Sequence, residues 1–261
     1  MLLKNKIAVI YGAAGAIGGA VARTFAREGA RVFLTGHRLA PVEVISREIS
    51  AAGGSAEAVE VNALDEKAID THLQSVMDRA GRVDVSFNAI GIPDTGLLGV
   101  PLLQVSQEAF FVPIESYVKS YFLTARLAAH RMIAQKAGVI MTLTAPPART
   151  GAPLLGGYAP SQAAKDALTR CLSAELASAG IRVVSLRPQA IPETDTIKDV
   201  FKLKGGGMSW EQWQTAMATR THTRRLTTLE EVANVAAFLA SDRASGITGT
   251  AVNLTMGTLD D

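Results

Sequence analysis

A glycine-rich turn near the amino end constrains the fold of this chain more than any other feature of its sequence. The apolar run Ile7–Tyr11 predicts a buried strand, an amphipathic helical segment follows, and Gly12, Gly15 and Gly18 lie at the junction. Glycines leave backbone N–H groups uncovered and admit a ligand close to the chain, and the start of a helix carries partial positive charge. We therefore expect this turn, including Ile17, to hold a diphosphate; the alternative is a tight turn without a ligand.

Apolar strand-like runs alternate with amphipathic helical runs along the whole chain, and no linker, repeat or low-complexity segment divides it. This alternation predicts a single α/β domain over residues 1–261, with a Rossmann-like, doubly wound parallel sheet of about seven strands and helices on both faces. Strands are predicted at residues 7–11, 31–35, 56–61, 83–87, 139–143, 182–186 and 251–254. Helices are predicted at residues 16–28, 41–52, 66–80, 114–135, 158–179 and 229–240.

Composition and charge exclude several classes of protein. The chain has 261 residues, 23 of them glycine, and a net charge of only +2, with no basic stripe for nucleic acid. No apolar run reaches the ~18–20 residues of a membrane span, and a strand that begins by Lys6 leaves no room for a signal peptide, so we expect a cytoplasmic protein. His72, His130 and His222 lack the spacing of metal ligands, so no metal site is expected.

One stretch departs from the alternation of strands and helices. Residues 188–223 contain no predicted strand, but they contain three consecutive glycines at 205–207, followed by Trp210 and Trp213 at helical spacing. Long insertions after the carboxyl end of a strand often form lids or binding loops, and glycines can act as hinges. We expect a lid over a substrate pocket here; the alternative is that the tryptophans only pack a short helix onto the body of the protein.

Six segments along the chain form a recognisable pattern. They are Gly12-Ala-Ala-Gly15-Ala-Ile-Gly18, Asp84-Val-Ser-Phe-Asn88-Ala-Ile-Gly91, Tyr158 at the start of an alanine-rich helix, Gly180-Ile-Arg-Val183, Pro188, and Ser245-Gly-Ile-Thr-Gly249. In this order and spacing they resemble the short-chain dehydrogenase/reductase family over essentially the whole chain. The resemblance implies a nicotinamide dinucleotide bound across the strand ends, a small-molecule substrate, and a homodimer or homotetramer. It implies further cofactor contacts from Asn62, Ala63, Asn88, Ala89, Gly91, Pro188 and Ile191.

The end of the second predicted strand bears on the choice of dinucleotide. An acidic side chain there would bond the ribose hydroxyls of NAD and repel a 2′-phosphate, but Gly36 occupies that place and His37 and Arg38 follow. Because arginine can bind a phosphate through two hydrogen bonds, we expect NADP(H) in preference to NAD(H). The alternative is that both residues are solvated loop residues. Further along, Asn62 offers an amide oxygen that can accept a hydrogen bond from the adenine amino group.

The catalytic part of the pattern is degenerate. Members of the family use a tyrosine acid, a lysine four residues later that favours the phenolate, a serine that holds the substrate oxygen, and an asparagine that orders a water. Tyr158 is present, but Gln162 stands at the lysine position. Ala145 stands at the serine position and Tyr117 at the asparagine position. Thr144 adjoins the serine position and can replace the serine only if its strand has ended there or bulges.

Other residues offer partial replacements for these groups. Thr144 can hold a carbonyl, and Gln162 can donate a hydrogen bond to a cofactor ribose. Tyr117 can form a phenol pair with Tyr158; the alternative is that Tyr117 only fills space between helices. The next lysine, Lys165, lies seven residues after Tyr158 and ~10 Å further along the helix axis. We expect Lys165 to be solvated or to contact another subunit.

These features predict an NADP(H)-dependent oxidoreductase that transfers hydride to or from a small, largely apolar carbonyl or alcohol, with Tyr158 as the proton donor and weak activity on ordinary substrates. The pocket is expected to be lined by residues 91–100, residues 146–155 and the lid. One alternative is an NADP(H)-binding protein that has lost hydride transfer and serves as a sensor, scaffold or partner subunit. Another is a non-redox enzyme that uses the same pocket, and the fold alone decides none of these.

Overall fold

Parallel strands form the centre of the protein, within the residues that the computed structural model describes, 1–92 and 97–260. The strands are β1 (Ile7–Tyr11), β2 (Arg31–Gly36), β3 (Ser55–Glu60), β4 (Val85–Asn88), β5 (Gly138–Leu143), β6 (Ile181–Pro188) and β7 (Thr250–Leu254). In this part of the chain they make one seven-stranded sheet in the order β3-β2-β1-β4-β5-β6-β7. Strands β2 and β3 are thus added on one side of β1, and strands β4 to β7 are added in order on its other side. The predicted doubly wound parallel sheet is confirmed.

Helices cover both faces of the sheet, as predicted. They are α1 (Ala16–Arg27), α2 (Leu39–Ala51), α3 (Glu66–Ala80), α4 (Gln107–Pro113), α5 (Ser120–Gln135), α6 (Tyr158–Leu176), α7 (Asp195–Lys204), α8 (Trp210–Ala218) and α9 (Leu229–Ala240). On one face, α1, α2 and α9 bury residues such as Phe25 against Ile10 of β1. On the other face, α3, α5 and α6 bury residues such as Leu73 against Val9. Each such side chain contributes ~1.5–3 kcal/mol when fully buried, so the two layers hold the strands in place.

The helix predicted to begin at residue 114 begins earlier. Ser106 caps α4 by accepting a hydrogen bond from the N–H of Ala109, and the helix passes through Pro113 into a π-helical turn, Ile114–Lys119, and then into α5. The predicted start was therefore wrong. Proline lacks an N–H and is usually found in the first turn of a helix, whereas Pro113 lies at the end of α4. Here the helical path continues through Pro113, which is buried against the rest of the protein. The π-helical turn contains Tyr117.

The stretch 188–223, described in full, contains α7 and α8 and no strand beyond the end of β6. Phe201, Trp210 and Trp213 form an aromatic cluster, with the two indoles stacked at 5.5 Å between ring centroids. Between the two helices, Gly207 has a φ of +84°, a backbone angle that favours glycine. The tryptophans therefore pack α8 against α7, and the role of the two helices as a lid stays a prediction. In the described part of the chain, no helix combines the length and apolar character needed to span a bilayer.

The strand register brings several chain segments to a common edge of the sheet. Tyr11 pairs with Thr35 on one side and with Asn88 on the other, and Asn88 pairs with Thr142. The segments that follow these residues therefore leave the sheet level with one another. This edge is formed by the carboxyl ends of parallel strands, where open α/β sheets bind ligands. The glycine-rich turn and the segment after β5 both begin here.

Candidate active site

The turn after β1 is packed so closely that only glycine fits at two of its positions, and it leaves uncovered the backbone donors that a diphosphate requires. Gly12 has a φ of +76°, and a Cβ added there would lie 2.7 Å from the carbonyl oxygen of Ala89, while a Cβ at Gly18 would overlap the carbonyl oxygen of Gly12. Helix α1 begins after Gly15, which offers no side-chain cap to the first N–H groups, and Ile17 is half-buried in its first turn. Uncapped N–H groups at a helix start bind anions. The residues present fit a dinucleotide diphosphate.

The end of β2 has no room for an acidic side chain. A Cβ added at Gly36 would lie 2.7 Å from Cγ2 of Val42, and Val42 is fully buried in the core. His37 and Arg38 follow, and both are exposed. Both side chains are therefore accessible to a phosphate bound beside the start of α2.

Sequence reasoning missed Glu60, which lies next to this pair at the end of β3. Its Oε2 accepts a hydrogen bond of 3.2 Å from the backbone N–H of Leu39, the first residue of α2. The carboxylate therefore occupies the positive end of that helix, one residue beyond Arg38. The signal that identifies Glu60 is positional: it is an acidic residue at the carboxyl end of the strand that neighbours β2.

Four residues besides Asn88 are expected around the adenosine; Asn62 and Gly91 are exposed, and Ala63 and Ala89 are buried. Asn62 is exposed, and its Oδ1 accepts a hydrogen bond of 3.0 Å from the N–H of Leu64, which leaves one lone pair for an adenine amino group. Gly91 is exposed, and an added Cβ would meet nothing within 4 Å. Ala63 and Ala89 are each 9% exposed; Ala63 lies three residues after the end of β3, and Ala89 directly follows β4.

The structure corrects the expectation for Asn88. Its side chain is 1% exposed, Nδ2 donates to Oγ1 of Thr124 at 3.1 Å, and Oδ1 accepts from the N–H of Ile90 at 3.3 Å. This amide fastens β4 to α5 and shapes the turn that follows. The resemblance implied a cofactor contact from Asn88, but helix α5 and the turn after β4 supply the partners of its side chain.

Pro188 ends β6 at the carboxyl edge of the sheet, and Ile191, the other residue expected to contact the cofactor there, lies three residues later. The side chain of Ile191 is 2% exposed and lies in the core on the α1 face of the sheet. Only the backbone of Ile191 is therefore available to contact a cofactor. Gln189 follows Pro188; its Oε1 accepts from the N–H of Ala190 at 3.1 Å, and its Nε2 donates to Oγ1 of Thr258 at 2.8 Å. This side chain therefore fastens the C-terminal segment to the end of β6.

Tyr117 and Tyr158 lie far apart in sequence and meet in the structure. Their rings pack edge to face, with centroids 5.8 Å apart and planes at 72°, a favourable geometry for aromatic pairs. Tyr117 is 7% exposed, and its hydroxyl accepts a hydrogen bond of 3.3 Å from the N–H of Ile92. A Cβ at Gly157 would overlap the carbonyl oxygen of Phe110, so α4 packs directly on the start of α6. This packing fixes the position of the half-buried Tyr158.

Thr144 meets the condition that the sequence set for it, because β5 ends at Leu143. Its N–H donates to the carbonyl oxygen of Leu186 at 2.7 Å, its side chain is 4% exposed, and its Oγ1 has no hydrogen-bond partner among the described residues. Buried hydroxyl groups almost always have a partner. The Thr144 hydroxyl, however, lies at the carboxyl edge of the sheet without a partner among the described residues.

Gln162 and Lys165 follow Tyr158 along α6. Gln162 is 3% exposed, and its Nε2 donates to Oγ of Ser161 at 3.3 Å. The amide is uncharged, so this position gives Tyr158 no electrostatic support of the kind that a lysine supplies.

The structure corrects the expectation that Lys165 is solvated. Lys165 is 2% exposed, and its Nζ lies 5.4 Å from the ring centroid of Tyr117 and 6.0 Å from that of Tyr121. Burial lowers the pKa of Lys165 to about 7, and the adjacent Asp166 acts in the opposite direction. The expectation considered only the backbone separation along the axis, whereas a long helical side chain leans toward the amino end of its helix.

The loops expected to line the pocket contact one another and α7. The N–H of Gly99 donates to the carbonyl oxygen of Leu154 at 2.9 Å, and Nζ of Lys204, the last residue of α7, donates to the carbonyl oxygen of Pro153 at 3.3 Å. Residues 93–96 of the expected lining lie outside the described residues. In the part of the chain that is described, no three His, Cys, Asp or Glu side chains group as metal ligands do.

Known proteins are similar to this chain in sequence and in fold. The family model described as enoyl-(acyl carrier protein) reductase matches residues 12–258. The chain is 30% identical over 257 residues to a 3-oxoacyl-(acyl-carrier-protein) reductase of Thermotoga maritima, covering 98% of this chain and 99% of the relative. It is 30% identical over 250 residues to the oxidoreductase UcpA of Escherichia coli, covering 95% of this chain and 92% of the relative. A solved 7α-hydroxysteroid dehydrogenase, in complex with NADH and 7-oxo glycochenodeoxycholic acid, has a TM-score of 0.87 at 30% identity, covering 99% of this chain and 96% of that chain.

The chain therefore belongs to the short-chain dehydrogenase/reductase family of oxidoreductases, which use nicotinamide dinucleotides. The resemblance predicted from the six segments is confirmed. The glycine-rich turn, which fits a diphosphate by its own geometry, agrees with this membership.

Proposed function

We propose that this protein is an NADP(H)-dependent oxidoreductase that interconverts a small, largely apolar carbonyl compound and its alcohol, with Tyr158 as the proton donor. The observation that carries the proposal is a diphosphate-fitting glycine turn on the same sheet edge that leads to the Tyr117–Tyr158 pair. A bound nicotinamide ring supplies or accepts the hydride. The residues of this chain bind the dinucleotide, hold the substrate oxygen and move a proton.

The end of β2 supports a preference for NADP(H) over NAD(H). Gly36 presents no acidic side chain, and the exposed guanidinium of Arg38 can donate two hydrogen bonds to a 2′-phosphate. Glu60 acts in the opposite direction, because a carboxylate at the start of α2 repels a phosphate bound there. The preference therefore depends on the balance of these two charges.

Titration of NADPH and NADH, followed by fluorescence, tests this preference. We expect Arg38→Ala to weaken NADPH binding ~10–100-fold, the value of a charge-assisted bidentate contact, and to leave NADH binding nearly unchanged. Arg47→Ala is the matched control, because Arg47 is an exposed arginine of α2 whose Nε donates to the carbonyl oxygen of Glu43. Equal affinities of the unsubstituted protein for NADPH and NADH would contradict the proposal.

Tyr158 and Thr144 have complementary roles in the proposed reduction. Oγ1 of Thr144 is buried and has no partner among the described residues, so its hydroxyl is the proposed donor that holds the substrate oxygen. The Tyr158 hydroxyl then gives its proton to the same oxygen. Because Gln162 carries no charge, the phenol lacks a cation on the next turn of its helix, and we expect slow turnover.

A screen of carbonyl compounds for NADPH oxidation tests the reaction itself. We expect Tyr158→Phe to abolish turnover while NADPH still binds. Thr144→Val is expected to lower kcat/KM ~10–100-fold, as loss of one oxyanion donor does. We expect no loss of stability, because the buried hydroxyl that it removes has no partner among the described residues. Full activity of Tyr158→Phe would refute the proposed proton donor.

We also propose that α7 and α8 form the lid of the pocket. The hydrogen bond from Lys204 to Pro153 supports this, as does the exposure of Leu203 at 49% beside the loop that contains Gly99. The chain has two tryptophans, both on α8, so indole emission reports on this segment alone. A change in emission on substrate binding is expected, and an emission that stays constant in a saturated complex would contradict a moving lid.

A second candidate is an NADP(H)-binding protein that has lost hydride transfer and serves as a sensor, scaffold or partner subunit. It is favoured by the three replaced positions, Ala145, Gln162 and Tyr117. Tight NADPH binding without turnover on any carbonyl or alcohol would support it. A cytoplasmic homodimer or homotetramer stays a prediction, and light scattering during size-exclusion chromatography tests the assembly.

A further inference from the structure

Lys165 is buried, and no carboxylate of the described residues is hydrogen-bonded to its amine. Its side chain is 2% exposed, and among the described residues its Nζ makes neither a hydrogen bond nor an ion pair. The neighbouring carboxylate of Asp166 is bound instead by Arg187 at 2.6 Å and by Oγ of Ser185 at 3.3 Å. An ammonium group buried without an ionic partner lowers stability, and an apolar side chain of similar length would not. A lysine at this position therefore calls for a functional explanation.

The contacts that the ammonium group does make are aromatic. Nζ of Lys165 lies 5.4 Å from the ring centroid of Tyr117 and 6.0 Å from that of Tyr121, within the range of cation–π attraction. The hydroxyl of Tyr121 is hydrogen-bonded to Oγ1 of Thr169 at 3.0 Å, which holds that ring in place. The Tyr117 ring is held from both sides, by the lysine and by the edge-to-face contact with Tyr158.

The geometry of α6 explains how a lysine seven residues from Tyr158 reaches this place. Tyr158, Gln162 and Lys165 share one face of the helix, and the last two are buried on it. A long side chain in a helix extends toward the amino end, so Lys165 reaches back over the turn that contains Gln162. With Tyr117 centred 5.8 Å from the Tyr158 ring, the ammonium nitrogen lies within about 11 Å of the centre of that ring.

We propose that Lys165 is a positioning residue of this site: held over the Tyr117 ring, its ammonium group orients that ring against Tyr158 and supplies the positive charge that Gln162 lacks. The inference rests on the proposed function, because Tyr158 is the group that benefits. A unit charge ~10 Å from the reacting phenol, at an effective dielectric of ~20, corresponds to about a tenfold change in rate.

The charged and titratable groups around Lys165 are few within the described residues. Tyr117 faces it from the π-helical turn and Tyr121 from α5, while Asp166 adjoins it on α6 and is paired with Arg187 of β6. The 3₁₀ turn after β5 and strand β7, which also pack on α6, carry no ionisable side chain. Packed on the same helix, α4 contributes Glu108, which is exposed. The titration of Lys165 therefore acts mainly on the two tyrosines.

Activity and stability of Lys165→Met provide the first test. We expect kcat to fall about tenfold with little change in KM, and the midpoint of urea unfolding to stay constant or rise because a buried ammonium is removed. The kcat profile of the unsubstituted protein should decline as pH rises through the pKa of Lys165, about 7, and this decline should be absent in the variant. Lys119→Met, an exposed lysine of the π-helical turn, is the matched control and should keep full activity.

Rescue from the neighbouring turn distinguishes charge from packing. Gln162→Lys, introduced into the Lys165→Met protein, places an ammonium four residues after Tyr158, and we expect it to restore kcat. A packing role for Lys165 predicts the reverse: Lys165→Met would lower stability, and Gln162→Lys would restore neither stability nor activity. That pattern would overturn the inference.

A titration of the unsubstituted protein needs neither turnover nor a variant that folds. The chain has four tyrosines, so ¹³C at Cζ gives four NMR signals that Tyr→Phe substitutions assign. We expect the chemical shift of the Tyr117 signal to change in one step between about pH 5 and pH 9. The midpoint of this step should equal the midpoint of the titration of Lys165, followed by its ¹³Cε signal. Tyr11, which is buried in β1 among other neighbours, should show no such step. The step should vanish in Lys165→Met.

The outcomes separate this inference from the proposed function. A Tyr117 step without turnover on any carbonyl would support the coupling and refute the proposed reaction. Turnover that requires Tyr158 but is unchanged in Lys165→Met, together with a Tyr117 signal that does not move, would overturn the role of Lys165 and leave the proposed reaction standing.

Discussion

Protonation of His72 limits the stability of this protein in mild acid. The imidazole on α3 is 4% exposed, its ring lies edge-on to Phe33 with centroids 6.5 Å apart, and its Nε2 has no hydrogen-bond partner among the described residues. Burial is the main cause that lowers the pKa of His72 from 6.5 to about 4. The positive charge of Arg79 lowers it further, and the carboxylate of Glu57 acts in the opposite direction.

The size of the effect follows from the two pKa values. In the unfolded chain the imidazole binds a proton near pH 6.5, whereas in the folded protein it resists protonation until about pH 4. Because the folded-state pKa is the lower one, the unfolded state binds more protons in this window, and stability falls as pH falls through it. This stability is present above pH 6.5, and about 2–3 kcal/mol of it is lost by about pH 4.5.

Urea unfolding at about pH 7.5 and about pH 4.5 measures this loss. Between the two pH values, we expect the free energy of unfolding of the unsubstituted protein to fall by about 2–3 kcal/mol more than that of His72→Leu, which has no imidazole to protonate. Comparing the two proteins cancels other titrations, such as that of Glu231, whose pKa is lowered to about 2 by its bond to Arg225. His130→Leu, at an exposed position, should behave like the unsubstituted protein. An equal loss of stability in His72→Leu and in the unsubstituted protein would refute the reasoning.

Three further predictions concern the site. Gly18→Ala places a Cβ against the backbone of the turn, so we expect NADPH to bind at least about 100-fold more weakly in a fluorescence titration, whereas Gly246→Ala, where an added Cβ meets nothing, should leave binding unchanged. Glu60→Gln removes a negative charge from the start of α2, so NADPH should bind about two- to fivefold more tightly and NADH should not; weaker NADPH binding would contradict this. The double variant Ala145→Ser with Gln162→Lys should raise carbonyl turnover at least about tenfold, because a cation ~4 Å from the phenol at an effective dielectric of ~20 favours the phenolate. An inert double variant that still binds NADPH would show that Tyr158 is not positioned for catalysis.

Local sequence patterns were sufficient for the sheet and for the turn after its first strand. The limits of β1 and of α3 agree with the prediction, because β-branched runs and apolar residues at helical spacing are properties of short windows of sequence. The limits of α9 agree as well, and Thr228 caps its start. Gly12 and Gly18 were readable for a different reason: a strand, a glycine turn and a helix in succession leave one way to pack, and no side chain fits there.

Long-range packing decided the catalytic half of the site. Tyr117 contacts Tyr158 because α4, which leads into the π-helical turn, packs directly on the start of α6. Helix α4, which ends at Pro113, was not predicted from the sequence. Asn88 was interpreted as a ligand contact, but α5 supplies its partners.

The sequence by itself determined the family, the sheet and the glycine-rich turn, because backbone conformation and apolar periodicity are set by residues close together in the chain. The tertiary structure alone decided where the charges lie. Lys165 is buried against two aromatic rings and Glu60 sits on the start of α2, and neither position follows from spacing along one helix or strand. The environment of a charged side chain is set by neighbours that are distant in the chain, and its burial and partners become definite only when those neighbours are packed around it.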